Sequence, residues 1–222
     1  MFDLVLLMAG MGTRTNLNTN KVFYEIDGIP LFMYSLNKFK KLIECDKIIL
    51  VVREDEISLV DHLASDKIII TIGGKMRQDS VYNGIQKTTN EIVLIHDAAR
   101  YNIGSEEILA VYQSTLIHGG AVLAAKVTDT IKEVDNNTII KTLDRTKLWA
   151  MQTPQGVRRI EYLKAIALAK TNKYYGTDDV ELLEKYTDII PVIVEGKATN
   201  FKLTTNDDIK LAKIILRGKH NV

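Results

Sequence analysis

Five almost wholly apolar runs of strand length are separated by amphipathic stretches of helix length, and this alternation limits what the chain can fold into. The runs are residues 4–7, 47–52, 67–72, 92–96 and 121–127, and the intervening stretches are 30–42, 56–63, 77–88 and 106–118. A strand that is apolar along its whole length is buried on both faces. In a β-α-β-α order that implies a mostly parallel sheet with helices on either side. Pro30 suits the first turn of the helix it opens. Right-handed crossovers then gather the strand carboxyl ends and their loops along one edge, where α/β sheets bind ligands.

The alternation breaks after Val127. Segments 128–134 and 138–143 flank Asp135-Asn136-Asn137 and read as a β-hairpin with a polar turn. Both faces are too polar for a core. The hairpin is therefore expected to project as an arm over about 128–145, either meeting a second subunit or standing as a plain surface hairpin. Beyond it come helices at 158–170 and 177–186, a strand at 189–195 and a short strand at 201–204. A last helix is opened by Thr205 and Asp208 at capping-box spacing. With no repeat, linker or low-complexity tract, residues 1–222 are read as one domain.

A chain of 222 residues with formal charge +1 has enough sequence for a sizeable core and no electrostatic bias toward nucleic acid or an anionic membrane. No apolar run approaches membrane-span length, and Met1-Phe2-Asp3 lacks the basic start of a signal peptide. Cys45, the sole cysteine, excludes an internal disulfide and a thiolate zinc cluster and suits a reducing cytoplasm. It is read as a small residue at the edge of the core. His62, His96, His118 and His220 show no metal-ligand spacing.

The first strand runs into Met8-Ala9-Gly10-Met11-Gly12-Thr13-Arg14, with Lys21 seven residues after Arg14. Glycines let a backbone touch a polyphosphate, and the two cations can neutralise it. Asn20 rules out a Walker A loop and Thr15 a dinucleotide fingerprint. The residues alone also fit an ordinary strand-to-helix turn with solvated cations. In Gly73-Gly74-Lys75-Met76-Arg77-Gln78-Asp79-Ser80, the turn can approach a planar base, Ser80 can bond its edge, and Arg77 can approach a phosphate. A plain turn with a satisfied helix cap is the alternative. In His96-Asp97-Ala98-Ala99-Arg100, a carboxylate at a strand's carboxyl end can bind hydrated Mg²⁺ and Arg100 can fork onto a phosphate. The alternative is an internal Asp97–Arg100 ion pair. Trp149 is read as an anchor for the base of the arm, beside the polar Arg145 and Thr153. Lys202 faces either the ligand edge or solvent. Thr177-Asp178-Asp179 reads as a helix N-cap with acidic charge in the first turn.

Taken together, G-x-G-x-R with a lysine seven residues on, G-G-x-x-R-Q-D-S-V, H-D-A-A-R, L-D-R-x-x-L-W-x-x-Q-T-P-Q, T-D-D and N-x-K-x-T resemble the 2-C-methyl-D-erythritol 4-phosphate cytidylyltransferase family throughout the chain. The resemblance implies a Rossmann-like three-layer α/β sandwich with a mostly parallel twisted sheet and a projecting β-hairpin arm. It implies a Mg²⁺-dependent reaction of CTP with a polyol phosphate, giving a CDP-alcohol and pyrophosphate, in a homodimer formed through the arm. It implies that Arg14, Lys21 and Lys202 act on the phosphates, and that Ala9, Gly10, Gly12, Gly74, Arg77, Ser80 and Asp97 hold nucleotide. Asp97 would also hold the metal. Asp97, Arg100, Thr130, Arg145 and Thr153 would surround the second substrate, some reached from a partner's arm. A phosphate oxygen needs no general base, so positioning and electrostatics carry such a transfer.

Asn20 stands where the family usually has proline, and the loop is expected to be less rigid for it. Lys75, Tyr101, Met8 and Met11 are further departures, none of which removes a needed charge. The nearest rival activity is transfer to ribitol 5-phosphate. More distant ones are a sugar-nucleotide pyrophosphorylase using UTP or GTP and a non-catalytic nucleotide sensor.

Overall fold

The computed structural model of the protein describes residues 1–10 and 20–218. In chain order the elements are β1 (Phe2–Leu7), β2 (Glu25–Ile26), β3 (Ile29–Pro30), α1 (Leu31–Lys40), β4 (Cys45–Val52), β5 (Ile68–Ile72), α2 (Arg77–Ile85), β6 (Ile92–Asp97), α3 (Ser105–His118) and β7 (Gly120–Lys126). There follow β8 (Lys132–Asp135), β9 (Thr138–Thr142), β10 (Trp149–Arg158), α4 (Arg159–Thr171), α5 (Val180–Tyr186), β11 (Val192–Glu195) and α6 (Asn206–Gly218).

The central sheet runs β11-β7-β10-β6-β1-β4-β5. Neighbours are parallel except at β10, which is antiparallel to both β6 and β7. The continuous apolar runs follow from burial on both faces. Along β1, Phe2, Leu4 and Leu6 join one core with Phe32, Leu36 and Phe39 of α1 and Ile108 and Val111 of α3. Val5 joins the other, with Val81 and Ile85 of α2, Tyr162 and Ile166 of α4 and Leu182 and Leu183 of α5. Ile48/Ile49 on β4 and Ile92/Val93 on β6 divide between the cores in the same way, as a period of two requires. A smaller cluster seats α6 on Ile26, Leu31, Tyr101 and Leu203. Cys45 is buried, and that burial pushes its thiol up to about 12.

Three readings of the sequence are corrected. Residues 56–63 form no α-helix but two 3-10 turns, Glu54–Leu59 and Asp61–Leu63, broken at Val60, whose φ is −131°. Val60 is turned fully into the core and Glu56 is also buried, so the segment follows the sheet edge instead of a helical axis. Residues 201–204 form no strand. Leu203 N–H bonds Ala99 C=O at 3.0 Å, but both edges of β6 are already occupied by β1 and β10. The largest omission is β10, a ten-residue strand in the middle of the sheet. Gln152, Thr153 and Gln155 are buried there, and the pairing with β7 shifts register between Met151 and Gln155, around Pro154. A buried polar strand containing proline carries no apolar signature.

The capping box that opens α6 is present: Asp208 Oδ2 accepts from Thr204 and Thr205 N–H, and Asp208 N–H bonds Thr205 Oγ. The hairpin β8–β9 pairs only with itself, and its side chains are exposed, among them Val134, Ile139 and Ile140.

Candidate active site

The sheet reverses its winding at β1, which pairs β4 on one side and β6 on the other. Leu7 and Asp97, the last residues of β1 and β6, face each other in register there. Loops leaving in opposite directions open a crevice at such a point. A cavity of about 300 Å³ lies at this place, and Ala9, Gly10, Lys21, Gly74, Arg77, Ser80, Asp97 and Lys202 all line it. These side chains come from the β1 loop, the β5–α2 turn, the end of β6 and the segment before α6. Gly12 and Arg14 lie outside the described residues.

Gly74 is fixed by close approach: a Cβ there would drive into the Cβ of Asp79. Ser80 Oγ accepts from Gly74 N–H at 3.0 Å and donates to Met76 C=O at 3.2 Å, which ties the turn to the first coil of α2. Its second lone pair is the capacity left for a ligand donor.

Asp97 is nearly buried and faces two cations. Lys202 Nζ is 2.8 Å from Oδ2 and Arg77 Nε is 3.4 Å from Oδ1. Burial by itself would raise the carboxyl, but Arg77, Lys202 and more weakly Arg100 outweigh it and hold Asp97 well below the usual carboxylate range. The alternative of an Asp97–Arg100 ion pair is not what forms. The Arg100 guanidinium donates to Asn200 C=O at 2.9 Å and to Met151 C=O at 3.3 Å.

Arg77 forks onto Asp179 at 2.9 and 2.7 Å, and the Tyr162 hydroxyl donates to the same carboxylate at 3.1 Å. Gln155 Oε1 accepts from Asp179 and Val180 N–H. The expectation of a helix cap at Thr177-Asp178-Asp179 is thus half right. Asp178 Oδ1 accepts from Glu181 N–H at 3.0 Å, whereas the Asp179 carboxylate makes no cap bond and holds Arg77 instead. Asp179 and Tyr162 are site residues that sequence reasoning missed. The signals were the T-D-D motif of the resemblance and a second acid where one cap suffices.

Behind Asp97, its N–H donates to Thr153 Oγ at 3.0 Å, Thr153 Oγ is 3.0 Å from His96 Nδ1, and His96 Nε2 is 3.1 Å from Arg100 C=O. A carbonyl only accepts, so Nε2 carries the proton, Nδ1 accepts, and the Thr153 hydroxyl donates to it. A proton on Nδ1 would reverse that bond, the hydroxyl accepting with its second lone pair. Burial pushes His96 down to about 4, against the pull of Asp97 and the hydrogen bonds. The unfolded imidazole binds its proton below about pH 6.5 and the folded one only near 4, so folding stability falls as pH drops through this window and is flat above it. The loss attributable to His96 is about 3 kcal/mol. NMR titration of the His96 ring is expected to show a neutral imidazole at pH 5.5; a midpoint near 6.5 refutes the assignment.

Thr153 and Arg100 therefore stand behind Asp97 and do not line the cavity, and Thr130 and Arg145 lie exposed on or near the arm. Arg145 donates to Thr128 C=O at 2.7 Å across the base of the arm, where Lys126 Nζ sits 5.3 Å from the centre of the Trp149 ring. Among the described residues no three His, Cys, Asp or Glu side chains cluster as a metal-holding group, and no helix is long and apolar enough to cross a membrane.

A crevice of about 300 Å³ at the switch point of a doubly wound sheet, walled by a glycine turn, cations and one strand-end carboxylate, defines a nucleotidyltransferase of Rossmann-like architecture. The family model for 2-C-methyl-D-erythritol 4-phosphate cytidylyltransferase matches residues 2–218, and the chain belongs to that family. It is 38% identical over 224 residues to the 2-C-methyl-D-erythritol 4-phosphate cytidylyltransferase of Geobacillus kaustophilus, covering 98% of each chain. It is 37% identical to the chloroplastic enzyme of that name from Oryza sativa, covering 98% of this chain and 75% of that one. The Francisella tularensis enzyme structure superposes with a TM-score of 0.80 at 30% identity, covering 95% of this chain and 97% of that one.

Proposed function

We propose that the chain joins CTP to 2-C-methyl-D-erythritol 4-phosphate, releasing pyrophosphate and forming the CDP-alcohol. The observation that carries this reading is the convergence of Lys21, Lys202, Arg77, Asp97 and the Gly74 turn on one cavity in a chain matched to this family almost end to end. A phosphate oxygen of the polyol attacks the α-phosphorus of CTP. The new P–O bond forms as the bond to the α,β-bridging oxygen breaks, and its electron pair leaves with pyrophosphate. The attacking oxygen is largely unprotonated near neutrality, so no side chain need act as a base. Two anions must instead be held in line against their repulsion, and Lys21, Lys202 and Arg14 are the cations assigned to that work.

Mg²⁺ suits the donor set on offer: it accepts one carboxylate with phosphate oxygens and water completing its shell, and Asp97 is the carboxylate that would hold it. When bound, it would supply charge neutralisation to the phosphates. Gly74 and Ser80 are assigned to the base, with Ala9, Gly10, Gly12 and Arg77 beside the nucleotide. Thr130 and Arg145 are assigned to the second substrate of a partner subunit in a cytoplasmic homodimer formed through the arm. What supports that assignment is that neither lines the chain's own cavity, together with the exposed Val134, Ile139 and Ile140 on the hairpin.

The test is pyrophosphate release from CTP and Mg²⁺ with each candidate phosphate. Methylerythritol phosphate is expected to be turned over, and UTP and GTP to be poor replacements. Faster turnover of ribitol 5-phosphate would reassign the substrate, and nucleotide binding without pyrophosphate would make the chain a sensor.

A further inference from the structure

Asn20 is buried between two strands' ends and uses its whole carboxamide. Its Nδ2 donates to Met8 C=O at 2.7 Å and to Glu56 Oε2 at 3.2 Å, and its Oδ1 accepts from Val22 N–H at 3.4 Å. Met8 is the residue on which the chain leaves β1, held to the sheet by its N–H on Val51 C=O at 2.8 Å. Asn20 is the residue on which it returns. One side chain therefore joins both ends of the glycine-bearing loop. Glu56 is itself anchored, with Arg53 Nε 3.3 Å from its Oε1. The Asn20 backbone caps the 3-10 turn Lys21–Phe23 by accepting from Phe23 N–H at 3.0 Å. Lys21, the first residue of that turn, is 8% exposed and lines the cavity, and Val22 beside it is in the core.

We propose that Asn20 is a positioning residue for Lys21, a clamp that fixes where the lysine emerges into the cavity before nucleotide arrives. The loop expected to be less rigid falls on residues 11–19, outside the described residues; at position 20 itself the restraint comes from these hydrogen bonds. The φ of Asn20 is −61°, a value proline adopts without strain, so a ring fits this backbone conformation. The proposal rests on the assignment of Lys21 to the phosphates, because only then does its placement govern rate.

Asn20→Ala is expected to lower kcat about ten- to thirtyfold with KM for CTP changed less than about threefold, since misplacement of a catalytic group falls on the transition state. Asn20→Pro is expected to recover kcat to within about threefold of wild type by restoring the restraint through φ. Hydrogen exchange at the Val22 and Phe23 amides, measured without nucleotide, is expected to quicken in Asn20→Ala. The proposal is overturned if Asn20→Ala keeps wild-type kcat, if its Val22 and Phe23 amides stay as protected as in wild type, or if folded Asn20→Pro is as slow as Asn20→Ala. If Asn20→Pro does not fold, Glu56→Ala takes its place. The double variant with Asn20→Ala must then be no slower than Asn20→Ala alone, and fully additive losses overturn the clamp. Should wild-type protein release no pyrophosphate from any pair of substrates, the functional reading fails, and the exchange measurement still decides the clamp.

Discussion

Replacing Lys21 with alanine will lower kcat at least about a thousandfold and leave the fold in place. The reacting groups are both anionic, and in passage through the transition state negative charge spreads over the oxygens of the transferred phosphorus. A cation fixed in a nearly enclosed wall interacts with that charge far more strongly than a solvated one does, and it needs no reorganisation as the charge develops. Lys21 meets both conditions: it is 8% exposed, and its backbone is set by the 3-10 turn and by Val22 in the core. The turn itself is closed by backbone bonds that alanine keeps, Phe23 N–H to Asn20 C=O and Tyr24 N–H to Lys21 C=O. Steady-state pyrophosphate release with a thermal unfolding control checks both halves of the prediction. Alanine at position 21 with wild-type kcat would remove this lysine from the chemistry.

β1, β4 and β6 were legible because they are sealed on both faces, and the edge strand β5 because its run is almost wholly apolar. β1, β4, β5 and β6 read directly from Leu4-Val5-Leu6-Leu7 and its counterparts, and their carboxyl ends gave the site. β10 was illegible for the opposite reason. Its central residues are buried polar groups whose value lies in partners far away in sequence: Thr153 with His96 and Asp97, Gln155 with Asp178, Asp179 and Val180. Propensity and periodicity carry no record of such pairings. The same holds for Asp179, which local rules send to a helix cap and tertiary structure sends to Arg77, 102 positions away. Asn20 was read only as a departure, from a Walker A loop and from the family's usual proline. Its carboxamide acquires meaning from Glu56, a residue that the pattern assigned to the start of an amphipathic helix and the fold buried.

Asp97→Asn is expected to cut kcat/KM by about a thousandfold, to raise the Mg²⁺ concentration needed for half-maximal rate, and to carry a stability loss that disappears in acid. The substitution keeps the shape of the side chain and leaves the bond from its N–H to Thr153 untouched. It removes the charge and turns one of the two accepting oxygens into an NH2 donor, so Lys202 and Arg77 then face each other across a neutral amide. Both cations keep about a third of their side chains exposed and can hydrate, which limits the stability loss to about 1–3 kcal/mol, below that of a fully buried broken pair. In wild type the folded carboxyl lies below its unfolded value near 4, because Arg77 and Lys202 outweigh the burial that would raise it. A group depressed in this way stabilises the fold fully above the unfolded value, and the contribution is lost as pH falls toward the folded one. The stability gap between wild type and Asp97→Asn should therefore be complete at pH 7 and shrink below about pH 4. Denaturant unfolding of both proteins across that range measures it. A gap that stays constant with pH would mean that Asp97 titrates alike in the folded and unfolded chain, so that Lys202 and Arg77 do not hold its charge; a gap that narrows as pH rises above about 4 would mean a carboxyl neutral in the fold, which could neither balance Lys202 nor hold a divalent cation.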